Sequence, residues 1–503
     1  MNAPELAARL DRLPLSRFHR RVLYGIAFAF FFELADLNTF AYAATGLKKY
    51  MGMSVGTIAD ITSAGFLGMF IGAAVAGRVA DRLGRRRTLI WSVLWFSVFS
   101  LLNAAAWNSA AMAAARLLTG IGLSAMTVIA ITYLSETMPR SHRGRMQGAA
   151  LAIGLAGIPV MAFFARGVVP TGPNGWRLVF VFGSVGAVAA VLIARLPESP
   201  RWLLDDGRAD AAQSALSVIE TEVSKDAGPL PEPEITPAEV APRNDPRDLF
   251  RGGLARRTWM LLAAWIFQTL GFYGFTSWVP VLLASHGFGL TKSLTFSALT
   301  TIGAIPGALC AWPVSDRFRR KAPCVAVSVL IAACGLAFGT SFNAAAIVIF
   351  GFGVSFFIQM FAALLYAYTP ELYPTGLRNT GSGLAYGVGR LANIAGPPIV
   401  AVIYGGAGYG WVFVYIAGCW IATALAIGLF GPKTGDVALE DLQAAATGFR
   451  YRPATGWFRW PRRRARWPAA GRPGRRSPGA CRRRTRFPGR AGPPFPAAGD
   501  HAR

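Results

Sequence analysis

The sequence predicts an all-α membrane protein whose twelve transmembrane helices form two pseudo-symmetric six-helix bundles. Three observations predict it: a composition too apolar for a fully wetted surface, about twelve apolar stretches long enough to span a bilayer, and self-similarity at one constant offset. Of 503 residues, 53% are hydrophobic and only 15% charged, with a mean hydropathy of +0.40, which places the chain outside the soluble globular class. A span needs about 20 predominantly apolar residues, and such stretches recur from Val22 to Leu429.

The spans run near 21–44, 57–78, 88–107, 110–135, 146–168, 175–195, 257–284, 292–314, 322–341, 345–370, 380–405 and 410–430. Residues 1–20 carry Arg9, Arg12, Arg17 and Arg20 without a short apolar core and cleavage site, so no secretory signal peptide is expected, and the segment reads as a cytoplasmic N-terminal extension. Residues 21–195 form the first six-helix bundle and 257–430 the second. Between them, 196–256 is polar and contains Pro229, Pro231, Pro233 and Pro237, which predicts a cytoplasmic linker with a short helix around Ala209 to Glu222. Residues 431–503 form a basic cytoplasmic tail.

Basic residues in short loops are retained on the cytoplasmic side. Arg17, Arg20 and Arg21 precede the first span, Arg78, Arg82, Arg85, Arg86 and Arg87 follow the second, Arg140, Arg143 and Arg145 follow the fourth, and Arg317, Arg319, Arg320 and Lys321 follow the eighth. The opposite loops are poor in charge, with Lys48, Lys49 and Lys292 as modest exceptions. Both termini are therefore expected in the cytoplasm of a multi-pass inner-membrane protein.

Sliding one half over the other aligns several residues at an offset of 235 without a gap. Gly68, Gly72, Asp81 and Arg82 fall on Gly303, Gly307, Asp316 and Arg317. Glu136, Pro139 and Arg143 fall on Glu371, Pro374 and Arg378, and Pro197 falls on Pro432. Charged and helix-breaking residues rarely coincide at one offset by chance. Duplicated halves related by an axis along the membrane normal imply a site between them near the midplane.

The loop Gly77-Arg78-Val79-Ala80-Asp81-Arg82-Leu83-Gly84-Arg85-Arg86 resembles the major facilitator signature between the second and third helices, and Arg116-Leu-Leu-Thr-Gly120-Ile-Gly122 resembles its fourth-helix motif. Tyr133-Leu-Ser-Glu136-Thr-Met-Pro139 with Arg143-Gly144, Pro197-Glu-Ser-Pro-Arg201-Trp-Leu, and Pro370-Glu371-Leu-Tyr-Pro374-Thr375 with Arg378 are similar to the sugar porter and metabolite:proton symporter branches. The resemblance covers about residues 18–445. It implies proton-coupled symport of a small organic acid or related metabolite by alternating access, with a sugar facilitator or a drug or metabolite exporter as the alternative. Sugar porters usually carry paired glutamines in the seventh helix; here Phe267-Gln268-Thr269 and Gly271-Phe-Tyr273-Gly-Phe-Thr-Ser-Trp278-Val-Pro280 look more like the metabolite and aromatic acid symporters. In the second copy of the loop motif, Trp312 replaces Gly77 and Arg319 replaces Gly84.

An ionisable group at the centre of a span costs roughly 2.5 to 3.5 kcal/mol on insertion scales, so each one is a functional candidate. Glu33 and Asp36 lie near the middle of the first span at i, i+3, on one helical face, expected toward a central cavity. Two carboxylates so close and partly desolvated oppose joint ionisation, so one is expected to bind and release a proton; pairing with basic groups to fix helix packing is the alternative. The pair resembles the acidic first-helix motif of aromatic acid:proton symporters, with Glu33 in place of the usual aspartate. At the offset of 235, Glu33 corresponds to Gln268. Arg116, within the fourth span, is permanently charged and can hold a carboxylate partner; the resemblance implies a role in coupling. Arg390, in Gly387-Val-Gly389-Arg390-Leu-Ala-Asn393, is suited to a substrate carboxylate through paired hydrogen bonds. Gln268, Tyr273, Gln359, Tyr366 and Asn393 add polar contacts for a ligand in an otherwise apolar pocket. Asp60 reads as interfacial.

Asp81, Arg82, Arg85 and Arg86 with Glu136 and Arg143, and Asp316 and Arg317 with Glu371 and Arg378, are expected to form a cytoplasmic gate of ion pairs and helix-end contacts. From Arg450 onward 16 arginines oppose the single Asp500, so the tail supplies 15 of the net +26 charge and is expected to be disordered. Such a tail can bind anionic lipid of the inner leaflet, an extension set by composition alone and without a role of its own is the alternative, and no nucleic-acid partner is expected. The scattered Cys310, Cys324, Cys334, Cys419 and Cys481 and four dispersed histidines make no metal or hydrolase set, and no phosphate loop is present. No enzyme, metal or cofactor is expected; the partners are a small-molecule substrate, protons and the bilayer, and the protein is expected to be monomeric.

Overall fold

The structure is a computed structural model that describes residues 1–235, 245–318 and 320–432, the side chain of Asp316 excepted. The expected basic tail lies outside the described residues beyond Pro432. Nineteen α-helices are described: α1 (Ala3–Asp11), α2 (Arg17–Met51), α3 (Val55–Leu83), α4 (Arg85–Ala105), α5 (Ser109–Thr137), α6 (Arg143–Leu155), α7 (Gly157–Val168), α8 (Gly175–Ser184), α9 (Val188–Ala194), α10 (Pro200–Asp205), α11 (Ala209–Ala227), α12 (Gly252–Thr276), α13 (Val279–Ser285), α14 (Leu290–Thr301), α15 (Ala304–Arg317), α16 (Lys321–Thr340), α17 (Ala344–Glu371), α18 (Arg378–Ala407) and α19 (Tyr409–Phe430). Eleven described helical segments are long and apolar enough to cross a membrane, and α12 with α13, bent by 51°, makes a twelfth.

Four of the expected spans are interrupted, the sixth by a 3-10 turn at Val185–Ala187 between α8 and α9, and prolines explain where the other three break. A proline ring clashes with the carbonyl four residues earlier and its nitrogen donates nothing. Pro159 acts back on Leu155, the last residue of α6; Pro280 acts back on Thr276, the last of α12; Pro306 acts back on Ile302, between α14 and α15. Each pair of half-helices therefore occupies one predicted span.

Within the first half, α3 packs on α5, α4 on α5 and α8, and α2 on α6, α7 and α8. Within the second, α12 packs on α18 and α19, α16 on α17 and α19, and α15 on α17. The halves meet where α18 crosses α3, α14 meets α7 and α13 meets α2. Without water between lipid-embedded helices, close backbone approach through small residues is what association gains from. Gly68 and Gly72 lie on the backbone of Leu117 and Ile121, where a Cβ has no room. Gly303 and Gly307 lie in the same way on Phe352 and Phe356, at the same offset of 235.

Two further contacts repeat at that offset. The Tyr133 hydroxyl donates to the Pro197 carbonyl at 2.6 Å, and Tyr368 to the Pro432 carbonyl at 2.8 Å. Arg85 pairs with Glu136, and Arg320 with Glu371.

At the arginine-rich end, the Pro197-to-Trp202 segment docks on the loop between α3 and α4. Glu198 accepts the Arg86 backbone N–H at 2.8 Å, and the Trp202 indole donates to the Asp81 carbonyl at 2.8 Å. Gly84 lies beneath both side chains at φ +98°, a backbone conformation and a clearance that only glycine meets without strain. The linker also holds α1. Leu6, Leu10 and Leu13 are buried with Leu216, Ile219 and Val223 of α11, and Glu220 receives Arg9 at 2.6 Å and Arg12 at 2.7 Å.

Candidate functional site

A cavity of about 1450 Å³ lies between the halves, lined from α2, α3, α5 and α6 on one side and α12, α15, α17 and α18 on the other. Its lining reaches Gly144 and Arg145 at the start of α6, Trp312 near the end of α15 and Gly383 near the start of α18, all at the arginine-rich end. At the opposite end the halves are tied together: Lys48 of α2 donates to Ser285 of α13, and Arg166 of α7 to Thr295 of α14 at 2.9 Å. The cavity is therefore open toward the arginine-rich end and closed at the other.

All six residues expected to contact substrate, Gln268, Tyr273, Gln359, Tyr366, Arg390 and Asn393, line this cavity. Helical spacing brings them there. Tyr386, Arg390 and Asn393 recur at i, i+4 and i+7 on one face of α18, opposite Trp265, Gln268 and Phe272 on α12. Trp265, Tyr366 and Tyr386 form an aromatic cluster with ring centroids 4.7–5.1 Å apart, the spacing of edge-to-face and tilted pairs. The Trp265 indole N–H is held by Thr369 at 3.0 Å, so this wall is pinned. Tyr273 meets Phe66 of α3 edge to face at 4.8 Å, and Gln268 donates to Thr269 at 2.6 Å.

Arg390 reaches across from α18 and donates to Ser124 of α5 at 2.8 Å. One turn along α5, Thr127 donates its hydroxyl to the Glu33 carboxylate at 2.9 Å, and Glu33 and Arg390 attract each other electrostatically. An acid of one half and a base of the other thus meet neighbouring turns of α5, the acid behind the cavity wall at Thr127 and the base on the lining.

Glu33 and Asp36 do not share one surface, contrary to what their spacing alone suggests. Glu33 is buried and connects to the cavity through Thr127 and Arg390. Asp36 is fully buried in the seam of α2, α4, α5 and α8, where it accepts Ser100 at 2.6 Å and Arg116 at 3.2 Å. The rotation of about 300° that three residues make on a helix leaves room for one side chain to face the cavity wall and the other the interior of its own half. The Arg116 guanidinium also lies 5.7 Å from the Phe40 ring centroid and borders a second, small cavity of about 20 Å³. Leu37, Phe66 and Met69 line both cavities and separate them.

The expected gate residues form pairs inside each half. Arg85 joins Asp81 at 2.6 Å and Glu136 at 3.3 Å, and Arg320 joins Glu371. Arg82, Arg143 and Arg317 are exposed, Arg378 is half-buried, and Arg86 donates to the Ala194 carbonyl. The side chain of Asp316 lies outside the described residues.

Ser124, Thr127, Trp265 and Tyr386 escape sequence reasoning because serine, threonine and aromatics are ordinary in membrane helices. Arg320 was reachable through the repeat, since it stands 235 residues after Arg85.

Residues 21–446 match the family described as sugar (and other) transporter. YyaJ of Bacillus subtilis (strain 168), assigned by name to metabolite transport, is 44% identical over 85% of this chain and 95% of its own. The niacin transporter NiaP of Acinetobacter baylyi is 30% identical over 87% of this chain and 99% of its own. Among solved structures, a partially occluded inward open conformation of the xylose transporter XylE from E. coli superposes with a TM-score of 0.67 at 16% identity, covering 84% of this chain and all of that one. That likeness is one of fold.

Proposed function

This chain belongs to the sugar (and other) transporter family and is a secondary transporter of small organic metabolites, and we propose that it carries a small aromatic or heteroaromatic carboxylate in symport with protons. The observation that carries this reading is the placement of Arg390 beside the Trp265, Tyr366 and Tyr386 cluster and opposite Glu33. A guanidinium offers two parallel N–H donors to a carboxylate, and the aromatic walls supply apolar surface and ring-edge contacts to a flat ligand. Niacin, named for one relative, is a heteroaromatic carboxylate.

The coupling follows from competition. Glu33 and a substrate carboxylate draw on the same Arg390 guanidinium, so a proton on Glu33 removes the competitor and favours loading of the anion. Proton and substrate then enter together, and leave together when the cavity faces the other side. Asp36 and Arg116, neither of which lines the large cavity, hold α2 against α5 while this happens.

Two six-helix bundles rocking about the central site are the moving parts in this reading. It is supported by the glycine contacts, the Tyr133 and Tyr368 bonds and the Arg85 and Arg320 pairs, each repeated at one offset. With both termini in the cytoplasm, the open end of the cavity faces inward, and the Lys48 and Arg166 contacts close the outer side. Intra-half ion pairs at the open end then brace each bundle, and the gate closes by approach of the bundles.

The test is uptake of labelled nicotinate or benzoate into proteoliposomes with and without a pH gradient. Symport requires the gradient to drive accumulation, and Glu33→Gln to bind substrate while losing that response. Accumulation in wild type that ignores the gradient would overturn the coupling and favour a facilitator.

A further inference from the structure

The prolines of α18 leave one backbone carbonyl without a donor inside its own helix. In a helix the Ile394 carbonyl draws on the N–H three or four residues later, and those positions are Pro397 and Pro398, neither of which has one. Even so, α18 stays helical through both. The donor comes from the other half of the protein: the Ser63 hydroxyl of α3 donates to the Ile394 carbonyl at 2.8 Å. The arrangement is not inherited from the duplication. Ala298 stands 235 residues after Ser63, and Ala162 and Phe163 stand 235 residues before the prolines.

This bond lies just past the floor of the large cavity. On α3 the lining ends at Phe66 and on α18 at Asn393, so Ser63 is the next turn, and Ile394 the next residue, toward the closed end. Phe66 itself meets Tyr273 of the other half. Opening the closed end separates α3 from α18 at this point, and the carbonyl then passes from Ser63 to water. Without the Ser63 hydroxyl it is satisfied only once that end has opened. A carbonyl left unmet between packed helices is unfavourable, so a side chain that meets it in one state and not in the other shifts the balance between the two.

We infer that Ser63 is a conformational latch: by supplying the hydrogen that Pro397 and Pro398 withhold from Ile394, it stabilises the state in which this end of the cavity is closed. The inference rests on the rocking of two bundles proposed above and needs no assumption about the substrate.

The test is hydrogen–deuterium exchange of the purified full-length chain without substrate, read by mass spectrometry. Segments around Arg166 and Thr295 report on the closed end, and segments around Arg145 and Trp312 on the open end. Amides protected by closure exchange in proportion to the population in which that end has opened. Ser63→Ala is expected to speed exchange at the closed end about fivefold or more, with the open end unchanged or slower. Pro398→Ala returns an N–H to Ile394, so in that background Ser63→Ala is expected to change closed-end exchange by less than about twofold. Wild-type exchange at both ends in Ser63→Ala, faster exchange at both ends, or an undiminished effect of Ser63→Ala in the Pro398→Ala background overturns the inference. Arg166→Ala removes a different tie at the closed end. If it speeds closed-end exchange while Ser63→Ala does not, the latch fails and the rocking stands; if neither does, both fail.

Discussion

Replacing Asp36 by asparagine removes one charge from a buried ion pair. Asp36 is fully buried and Arg116 is 7% exposed, with 3.2 Å between the carboxylate and the guanidinium. The substitution keeps the volume and leaves an acceptor for Ser100, whose hydroxyl also lies 3.1 Å from the Phe180 carbonyl, so the hydroxyl contributes little to the loss. What remains is a guanidinium without a counter-charge between α2 and α5. Breaking a buried pair by removing one partner costs about 3 to 5 kcal/mol, and that is the expected destabilisation of Asp36→Asn. Reversible unfolding in mixed detergent and SDS micelles, followed by circular dichroism, measures it. The double variant Asp36→Asn, Arg116→Met is expected to be more stable than Asp36→Asn alone, because it removes the orphaned charge. A single variant within about 0.5 kcal/mol of wild type, or a double variant whose loss equals the two single losses to within about 0.5 kcal/mol, would refute the claim that the two groups act as one structural pair.

Gly72→Ala and Gly307→Ala are each expected to lose about 1 to 3 kcal/mol in the same unfolding assay, because the added methyl meets the backbone of Ile121 or Phe356. Gly77→Ala, with open space at that position, serves as the neutral control. Arg390→Lys is expected to weaken binding of aromatic acids about tenfold or more while leaving the thermal midpoint near wild type, since an ammonium keeps the charge but loses the paired donors; unchanged affinity in an equilibrium assay would remove Arg390 from the site. At the N-terminus, burial alone pushes the Glu220 carboxyl up, but the guanidinia of Arg9 and Arg12 outweigh it and hold the carboxyl below its ordinary value. A depressed carboxylate stabilises the fold above its unfolded-state value and loses that contribution as pH falls through the folded one. Docking of α1 on α11, read by limited proteolysis, is therefore expected to persist at neutral pH and to loosen only in acid below the usual glutamate range. Glu220→Gln is expected to loosen it at neutral pH, and equal protection of both proteins at neutral pH would show the clamp to be inert.

Much of this protein is determined by its one-dimensional pattern. Apolar runs long enough to span, arginines at alternate loops and glycines repeated at one offset are local or periodic signals, and lipid gives each span little freedom to do anything except form a helix. Six cavity residues were legible for the same reason: a polar or cationic side chain inside a span must face protein, a cavity or a partner. The tertiary structure decided what spacing cannot. Glu33 and Asp36 are three residues apart, yet one meets Thr127 behind the cavity wall while the other pairs with Arg116 in the seam, because neighbouring helices, and not α2 itself, set what each part of its face meets. Arg390 finds Ser124 across 266 positions of sequence, and Trp265, Tyr366 and Tyr386 become one aromatic wall only when three helices converge. Partnerships of that kind depend on helix rotation and tilt, which are set by packing summed over the whole bundle and leave no mark at any single position.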